Sequence, residues 1–449
     1  MTHPLLTASL LALAAAALPS QESAQESAQE SNQVSTQRST PESTQKAPTG
    51  RNLTTLIDGL YAVEAYKARS REKIDALLAP FAAVPAPSKS GRKALLKKIE
   101  KAWGKLRELP KKGEHWYWDE KDSRRGRFFV TGKTSKPKGL FIGLHGGGVG
   151  SADAAGARGA YQGPAASRGW LSIFPQAIEA TECGWTDTGT EEWIMTLIDE
   201  ARRTYDVSPD HIYIGGHSMG GYGSWVLGAH HADLFAAAVP SAGAPTPIRD
   251  RGTERIVAIQ EGVIPNLMNL PMCVFQSTDD PRVPPDVNQF AFKQLQGVKE
   301  QYGGYENFTY WEVDDRQHSY PTGGTDALLE RIESFERNAH PDHLLWQPAL
   351  DWRTSFYWLD WTKPRMNALI EATLNREANQ IDIKGDGQSL EGLGVMLSPA
   401  IVDMEKEVTV TLDGEEVFRG VPEPTWATLV RTALVQDEGR LYECRIPLR

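Results

Sequence analysis

The chain has 449 residues, 40% of them hydrophobic and 24% charged, and a formal net charge of -10 with histidine neutral. That length predicts more than one folded unit, and the acidic balance excludes partners held by clustered positive charge, namely nucleic acid and anionic membrane surfaces. Three cysteines, Cys183, Cys273 and Cys444, make no disulfide framework, and no H-E-x-x-H, C-x-x-C or acidic calcium-loop spacing occurs, so neither a metal nor another cofactor is expected.

Residues 1–20 contain an alanine- and leucine-rich run from Leu5 to Leu18, too short for the roughly 20 residues that span a bilayer. It reads as the apolar core of a secretory leader, with His3 in place of the usual lysine or arginine. Export to the periplasm, cell surface or medium is the expectation, with no membrane span once the leader is removed. Residues 21–50 repeat glutamine, glutamate, serine and threonine with almost nothing to bury, which predicts a disordered tether. Over residues 51–113 the spacing of Leu53, Ile57 and Leu60, then Leu96, Ile99, Trp103 and Leu106, predicts a helical extension that packs on a larger body. Its basic run (Lys93, Lys97, Lys98, Lys101, Lys105) is read as a solvated helix face.

Residues 114–343 alternate apolar runs with helical patterns, and strands are expected near 127–131, 139–144, 170–174, 211–215, 235–240, 271–276 and 308–313. This is an α/β pattern, a mostly parallel sheet covered by helices, whose functional groups should collect at the strands' C-terminal ends. The strand ending at Leu144 runs into His145-Gly146-Gly147-Gly148, where glycines let backbone N–H groups approach a ligand. Gly146 or Gly147 is therefore a candidate oxyanion-hole donor, and His145 is read as structural. Trp185 follows the next strand and is a candidate substrate contact, with a loop anchor as the equal alternative.

The strand 211–215 then meets Gly216-His217-Ser218-Met219-Gly220, a G-x-S-x-G between a β-branched run and a helical pattern. That context places Ser218 on a sharp turn as a nucleophile, with the Met219 N–H as the other oxyanion donor. A hydroxyl needs a base oriented by a carboxylate, expected later in the chain in the order acid, then histidine. Strand 271–276 leads into Ser277-Thr278-Asp279-Asp280, which offers two adjacent carboxylates. Strand 308–313 leads into the loop that carries His318, the candidate base.

Beyond residue 344 alternating stretches separated by turns predict a β-rich, sandwich-like C-terminal domain over 344–449. Trp346, Trp352, Tyr357, Trp358 and Trp361 open it, read as packing in preference to a platform for sugar rings.

The run 215–243, GGHSMGGYGSWVLGAHHADLFAAAVPSAG, resembles secreted α/β-hydrolases of the poly(hydroxybutyrate) depolymerase and feruloyl-esterase type. Prolyl-oligopeptidase-like peptidases carry similar segments. The resemblance covers about 140–335 and implies an α/β-hydrolase fold, with the helical extension before it and the β-rich part after it, and hydrolysis of carboxylic esters. It also implies that Asp280 is the acid, because Asp280-Pro281-Arg282-Val283-Pro284 matches the family's D-x-x-V-P, although Gln276-Ser277 stands where histidine-glycine is common. A peptidase is the alternative activity, opposed by the lack of the 40-to-50-residue repeats that a gating propeller would need. A carbohydrate-binding or wall-attachment protein with an inert hydrolase domain is opposed by the intact set of candidate residues.

Overall fold

The computed structural model describes residues 46–67, 69–120, 123–148, 150, 153–187, 189–385 and 389–448. The leader expected over 1–20, and the tether up to residue 45, lie outside them. Three helices come first: α1 (Gly50–Tyr61), α2 (Ser70–Leu78) and α3 (Lys89–Trp103). Each turns one apolar stripe inward, Ile57 and Leu60 from α1, Leu78 from α2, and Leu95 and Ile99 from α3.

The strands that follow are β1 (Gly113–Glu120), β2 (Ser123–Gly132), β3 (Leu140–Leu144), β4 (Leu171–Pro175), β5 (Ile212–His217) and β6 (Ala237–Ser241). A short antiparallel hairpin, β7 (Pro247–Arg249) and β8 (Ile256–Ile259), precedes β9 (Met272–Ser277) and β10 (Phe308–Val313). Apart from the hairpin they form one eight-stranded sheet in the order β1-β2-β4-β3-β5-β6-β9-β10. From β4 to β10 neighbours are parallel, whereas β2 runs against both β1 and β4. The helices between them are α4 (Ala154–Ser167), α5 (Thr190–Tyr205), α6 (Met219–His230), α7 (Asp286–Tyr302) and α8 (Gly324–Glu330). Strands β3, β4, β6 and β9 are buried along their whole length, as continuous apolar runs covered on both faces must be. The sequence reading misses β1, an exposed edge strand whose aromatic run Trp116-Tyr117-Trp118 carries β propensity without a clean alternation.

After the sheet the chain turns to antiparallel β structure: β11 (His343–Trp346), β12 (Ser355–Phe356), β13 (Leu359–Trp361), β14 (Ile370–Asn375), β15 (Gln380–Lys384), β16 (Leu393–Leu397), β17 (Val408–Leu412) and β18 (Glu415–Gly420), then helix α9 (Trp426–Ala433) and strand β19 (Cys444–Pro447). One sheet has the order β11-β14-β15-β17-β18 and the other β12-β13-β16-β19, with β15 and β17 the one parallel pair among these strands. Inward residues of both sheets, such as Ile381, Val410, Val395 and Ile446, join a single apolar core with Leu144, Trp225 and Val274 of the large sheet and its helices. Trp346, Trp358 and Trp361 lie in that core with at most 1% exposure, which rules them out as a surface for sugar stacking. The first three helices pack chiefly against α9, with Ile57, Leu60, Leu95 and Ile99 meeting Trp426, Leu429 and Val430. Among the described residues no helix is long and apolar enough to cross a membrane.

Buried charge ties these segments together. Asp360 on β13 takes a bidentate pair from Arg71 of α2 at 2.6 and 2.9 Å, Arg431 of α9 at 2.8 Å and Arg445 of β19 at 2.5 Å. Burial opposes its ionisation, yet Arg431, Arg71 and Arg445 hold the carboxyl far below the usual carboxylate range. Arg337 pairs with Asp437 at 2.8 Å, and Arg353 pairs with Asp233, both spanning from the large sheet's helices and loops to the β-rich part. Asp360→Ala would leave Arg431 and Arg445 without a carboxylate in a buried site and Arg71 with only Asp75. Urea unfolding should then show a loss of about 3–5 kcal/mol; an unchanged midpoint would contradict this role for Asp360.

Candidate active site

Ser218 lies between β5 and α6 with φ 60° and ψ −122°, a backbone conformation that non-glycine residues hold only where their surroundings impose it. The surroundings are backbone. A Cβ on Gly216 would sit 2.5 Å from the Leu144 carbonyl oxygen, and one on Gly220 would sit 2.2 Å from it. Only glycine lets β3, β5 and the start of α6 come this close, and the turn is tied to β6 by the Ser218 N–H donating to Ser241 O at 2.9 Å. Met219 is the first residue of α6, so its N–H has no acceptor within the helix.

The Gly-rich loop after β3 passes directly over this turn. A Cβ on Gly146 would lie 3.2 Å from Ser218 Cβ. Two side-chain hydrogen bonds set the direction of its peptide planes. Trp185 Nε1–H donates to His145 O at 3.2 Å, and His145 Nδ1–H donates to Gly146 O at 2.9 Å. Because each peptide is planar and trans, the N–H groups of Gly146 and Gly147 point away from those two bonds. His145 Nε2 accepts from the Ala177 N–H at 3.0 Å and faces Gln176 Nε2 at 3.2 Å, so the ring is neutral and protonated on Nδ1. Burial holds its pKa down at about 4.

Trp185 corrects the expectation of a substrate contact. It is completely buried, packed on Gly223 of α6 with its indole N–H spent on His145 O. A side chain with no exposed surface cannot meet an acyl group; it anchors the loop that follows β4 and orients the Gly-rich turn.

The two carboxylates after β9 have separate tasks. Asp280 is buried: Oδ1 accepts from the N–H groups of Arg282 at 2.8 Å and Val283 at 3.0 Å, and Oδ2 accepts from His318 Nδ1 at 2.8 Å. Asp279 is exposed, and its Oδ1 accepts from Ser277 Oγ at 2.5 Å and the Gln317 N–H at 2.8 Å, bracing the loop that carries His318. Gln276, where the resembling hydrolases commonly have histidine, donates through Nε2 to Val283 O at 2.9 Å and accepts from Asn288 Nδ2 at 2.8 Å. Asn288 in turn donates to Gly243 O at 3.1 Å, linking the acid loop to the segment behind the serine turn.

With Nδ1 given to Asp280, a neutral His318 has Nε2 free as an acceptor. His318 packs against His217, the residue before Ser218: the two rings lie 4.8 Å apart between centroids, and the Tyr320 ring lies 4.6 Å from that of His217. Ser218 Oγ makes no hydrogen bond among the described residues. His217 was not singled out by sequence, since its place in G-x-S-x-G says nothing of what its ring touches. Burial and the neighbouring His318 hold its pKa down at about 4. Among the described residues no group of three or more histidine, cysteine, aspartate or glutamate side chains is placed to hold a metal ion.

The strand order, the long parallel run and the strained serine at a strand-to-helix turn decide the architecture. The fold is that of an α/β-hydrolase. No protein-family model and no curated protein matches the chain. Similar solved structures include a thermostable esterase at 20% identity and TM-score 0.39, over 50% of this chain and 63% of that one. The apo form of Thermogutta terrifontis esterase 2 matches at 16% identity and TM-score 0.36, over 51% and 94%. An acetyl xylan esterase from Aspergillus awamori matches at 15% identity and TM-score 0.35, over 46% and 93%. The chain thus spans less than two thirds of the thermostable esterase, and each of these likenesses covers about half of this chain.

His145 and His217 are neutral in the fold with pKa about 4, whereas an unfolded histidine takes up its proton near 6.5. The unfolded chain therefore binds more protons between these values. Their contribution to stability is complete above about pH 6.5 and is lost as the pH falls toward about 4. The melting temperature should begin to fall already below pH 6.5, ahead of the titration of ordinary carboxylates; a melting temperature flat down to the carboxylate range would rule this out.

Proposed function

We propose that the protein is an exported serine esterase in which Ser218 is the nucleophile, His318 the base and Asp280 the orienting acid. The observation that carries this reading is the His318 Nδ1 to Asp280 Oδ2 bond of 2.8 Å, with the His318 ring packed on His217, the neighbour in sequence of a serine held at positive φ. His318 Nε2 takes the Ser218 Oγ proton as Oγ adds to the ester carbonyl carbon. The carbonyl oxygen gains the negative charge and meets the N–H of Met219 and that of Gly146 or Gly147. Collapse expels the alcohol with the proton from His318 and leaves an acyl group on Ser218, which water, deprotonated by the same imidazole, then releases as the acid. Asp280 keeps the imidazole in the Nδ1–H tautomer and stabilises its protonated form.

The substrate class follows from the resemblance of 215–243 to depolymerases and feruloyl esterases: acyl groups on a polysaccharide, or a polyester. Export rests on the leader-like segment over 1–20. A panel of p-nitrophenyl, feruloyl, acetyl-xylan and peptide substrates separates these classes, and turnover confined to peptides would replace the esterase reading with a peptidase.

A fluorophosphonate probe should label the wild-type protein and not Ser218→Ala, and that substitution should cut ester turnover by about 10⁴-fold or more with the melting temperature kept. An unlabelled wild type, or a Ser218→Ala variant that retains turnover, would remove the serine from the mechanism.

Asp280→Asn should lower kcat by about 10⁴-fold by favouring the wrong imidazole tautomer. Asp279→Asn, which touches only the loop, should cost far less. Steady-state kinetics on both variants decides the assignment, and the reverse order of effects would transfer the role of acid to Asp279.

A further inference from the structure

A cavity of about 170 Å³, several times the roughly 30 Å³ that one water occupies in the liquid, lies away from Ser218 between α2, α9 and the β12–β13 hairpin. Arg71, Arg431 and Arg440 line it, and Asp360 is the one carboxylate among its lining residues. Asp360 has nothing left to offer. Its Oδ1 accepts from Arg71 and Arg431, and its Oδ2 from Arg71 and Arg445, which fills the lone pairs of the carboxylate.

Donors, by contrast, are left over. Arg440 forms no ion pair with a carboxylate among the described residues, and the one hydrogen bond of its side chain runs from Nη2 to Ser355 Oγ at 3.3 Å. Asp233 and Asp437 act on Arg440 only through space: their ion pairs are with Arg353 and Arg337, and Asp233 Oδ2 is left without a hydrogen bond. Arg431 Nη2 faces the Met396 thioether at 3.5 Å, a weak acceptor. The hydroxyls of Thr354 and Ser355 also border the space, and α2 begins at Ser70 on its wall, adding the positive end of a helix dipole. Cationic forks and hydroxyl groups around a space whose one lining carboxylate is saturated match the geometry of a tetrahedral oxyanion.

We propose that this cavity binds a phosphate or sulfate group, as the free ion or as a monoester, and that the bound group links the N-terminal helices to the β-rich part. Isothermal titration of the full chain with inorganic phosphate and with sulfate, in chloride buffer of constant ionic strength, should give saturable binding of one equivalent. Arg440→Gln removes the cation that forms no ion pair, and should weaken binding by about tenfold or more, the loss of one charge-assisted hydrogen bond. Thr354→Val removes only a hydroxyl donor and should weaken binding by a smaller factor, which keeps the test open if Arg440→Gln does not fold. Glycerol phosphate separates the sources: affinity equal to that of inorganic phosphate assigns the site to an ester group, and its failure to bind assigns it to the free ion. Absence of saturable heat with either ion, or equal affinity in the wild type and in the folded variants, would overturn the proposal.

Discussion

The Leu144 carbonyl oxygen sits where a single methyl group on Gly216 or Gly220 would collide with it, and most of the site's geometry depends on that closeness. Because β3, β5 and α6 meet at van der Waals distance, the chain between β5 and α6 has room only for a tight turn. Ser218 is forced to positive φ and remains half-buried. The same closeness brings the Gly-rich loop over Ser218 Cβ, so the nucleophile candidate and both oxyanion donor candidates are placed by one packing constraint. The strain at Ser218 is sustained by neighbouring strands that are buried throughout and cannot relax without opening the core.

Hydrogen bonds then refine what packing places. The Gly-rich loop gets its peptide directions from Trp185 and His145, neither of which has a polar group left over for a ligand. The acid loop is held by Asp280's own acceptance of two backbone N–H groups and by the Gln276–Asn288–Gly243 relay. This is how a site assembled from loops reaches fixed geometry: every loop that contributes a candidate group is bound to its neighbour by a buried polar contact. The contacts between the large sheet, the N-terminal helices and the β-rich part use charge for the same end. Asp360, Asp437 and Asp233 each hold arginine from a distant segment, and such buried pairs specify which surfaces meet more than they add net stability.

Much of the fold was legible in the sequence because its strands are continuous apolar runs ending in chemically distinctive loops. The strands expected near 139–144, 271–276 and 308–313 coincide closely with β3, β9 and β10. Helix α9 escaped notice inside a stretch read as β-rich, although Thr425 ahead of Trp426, Leu429, Val430 and Ala433 carries both a cap and a helical spacing. The choice between Asp279 and Asp280 rested on a motif alone. In the structure the two carboxylates diverge, one inward to His318 and the other outward to the Gln317 N–H.

What the sequence by itself determined is local: the periodicities that make the strands and helices, and the short glycine-rich and acidic loops that end the parallel strands. Such patterns depend on neighbouring residues and on backbone sterics, and both are written in a few consecutive letters. Only the tertiary structure decided that Trp185 is buried against His145, that His217 packs on both His318 and Tyr320, and that Arg71, Arg431 and Arg445 converge on Asp360 from 71 to 289 residues away. Those contacts join segments far apart in the chain. Their partners are selected by shape and by the cost of burying an unpaired polar group, neither of which leaves a periodic trace in the sequence.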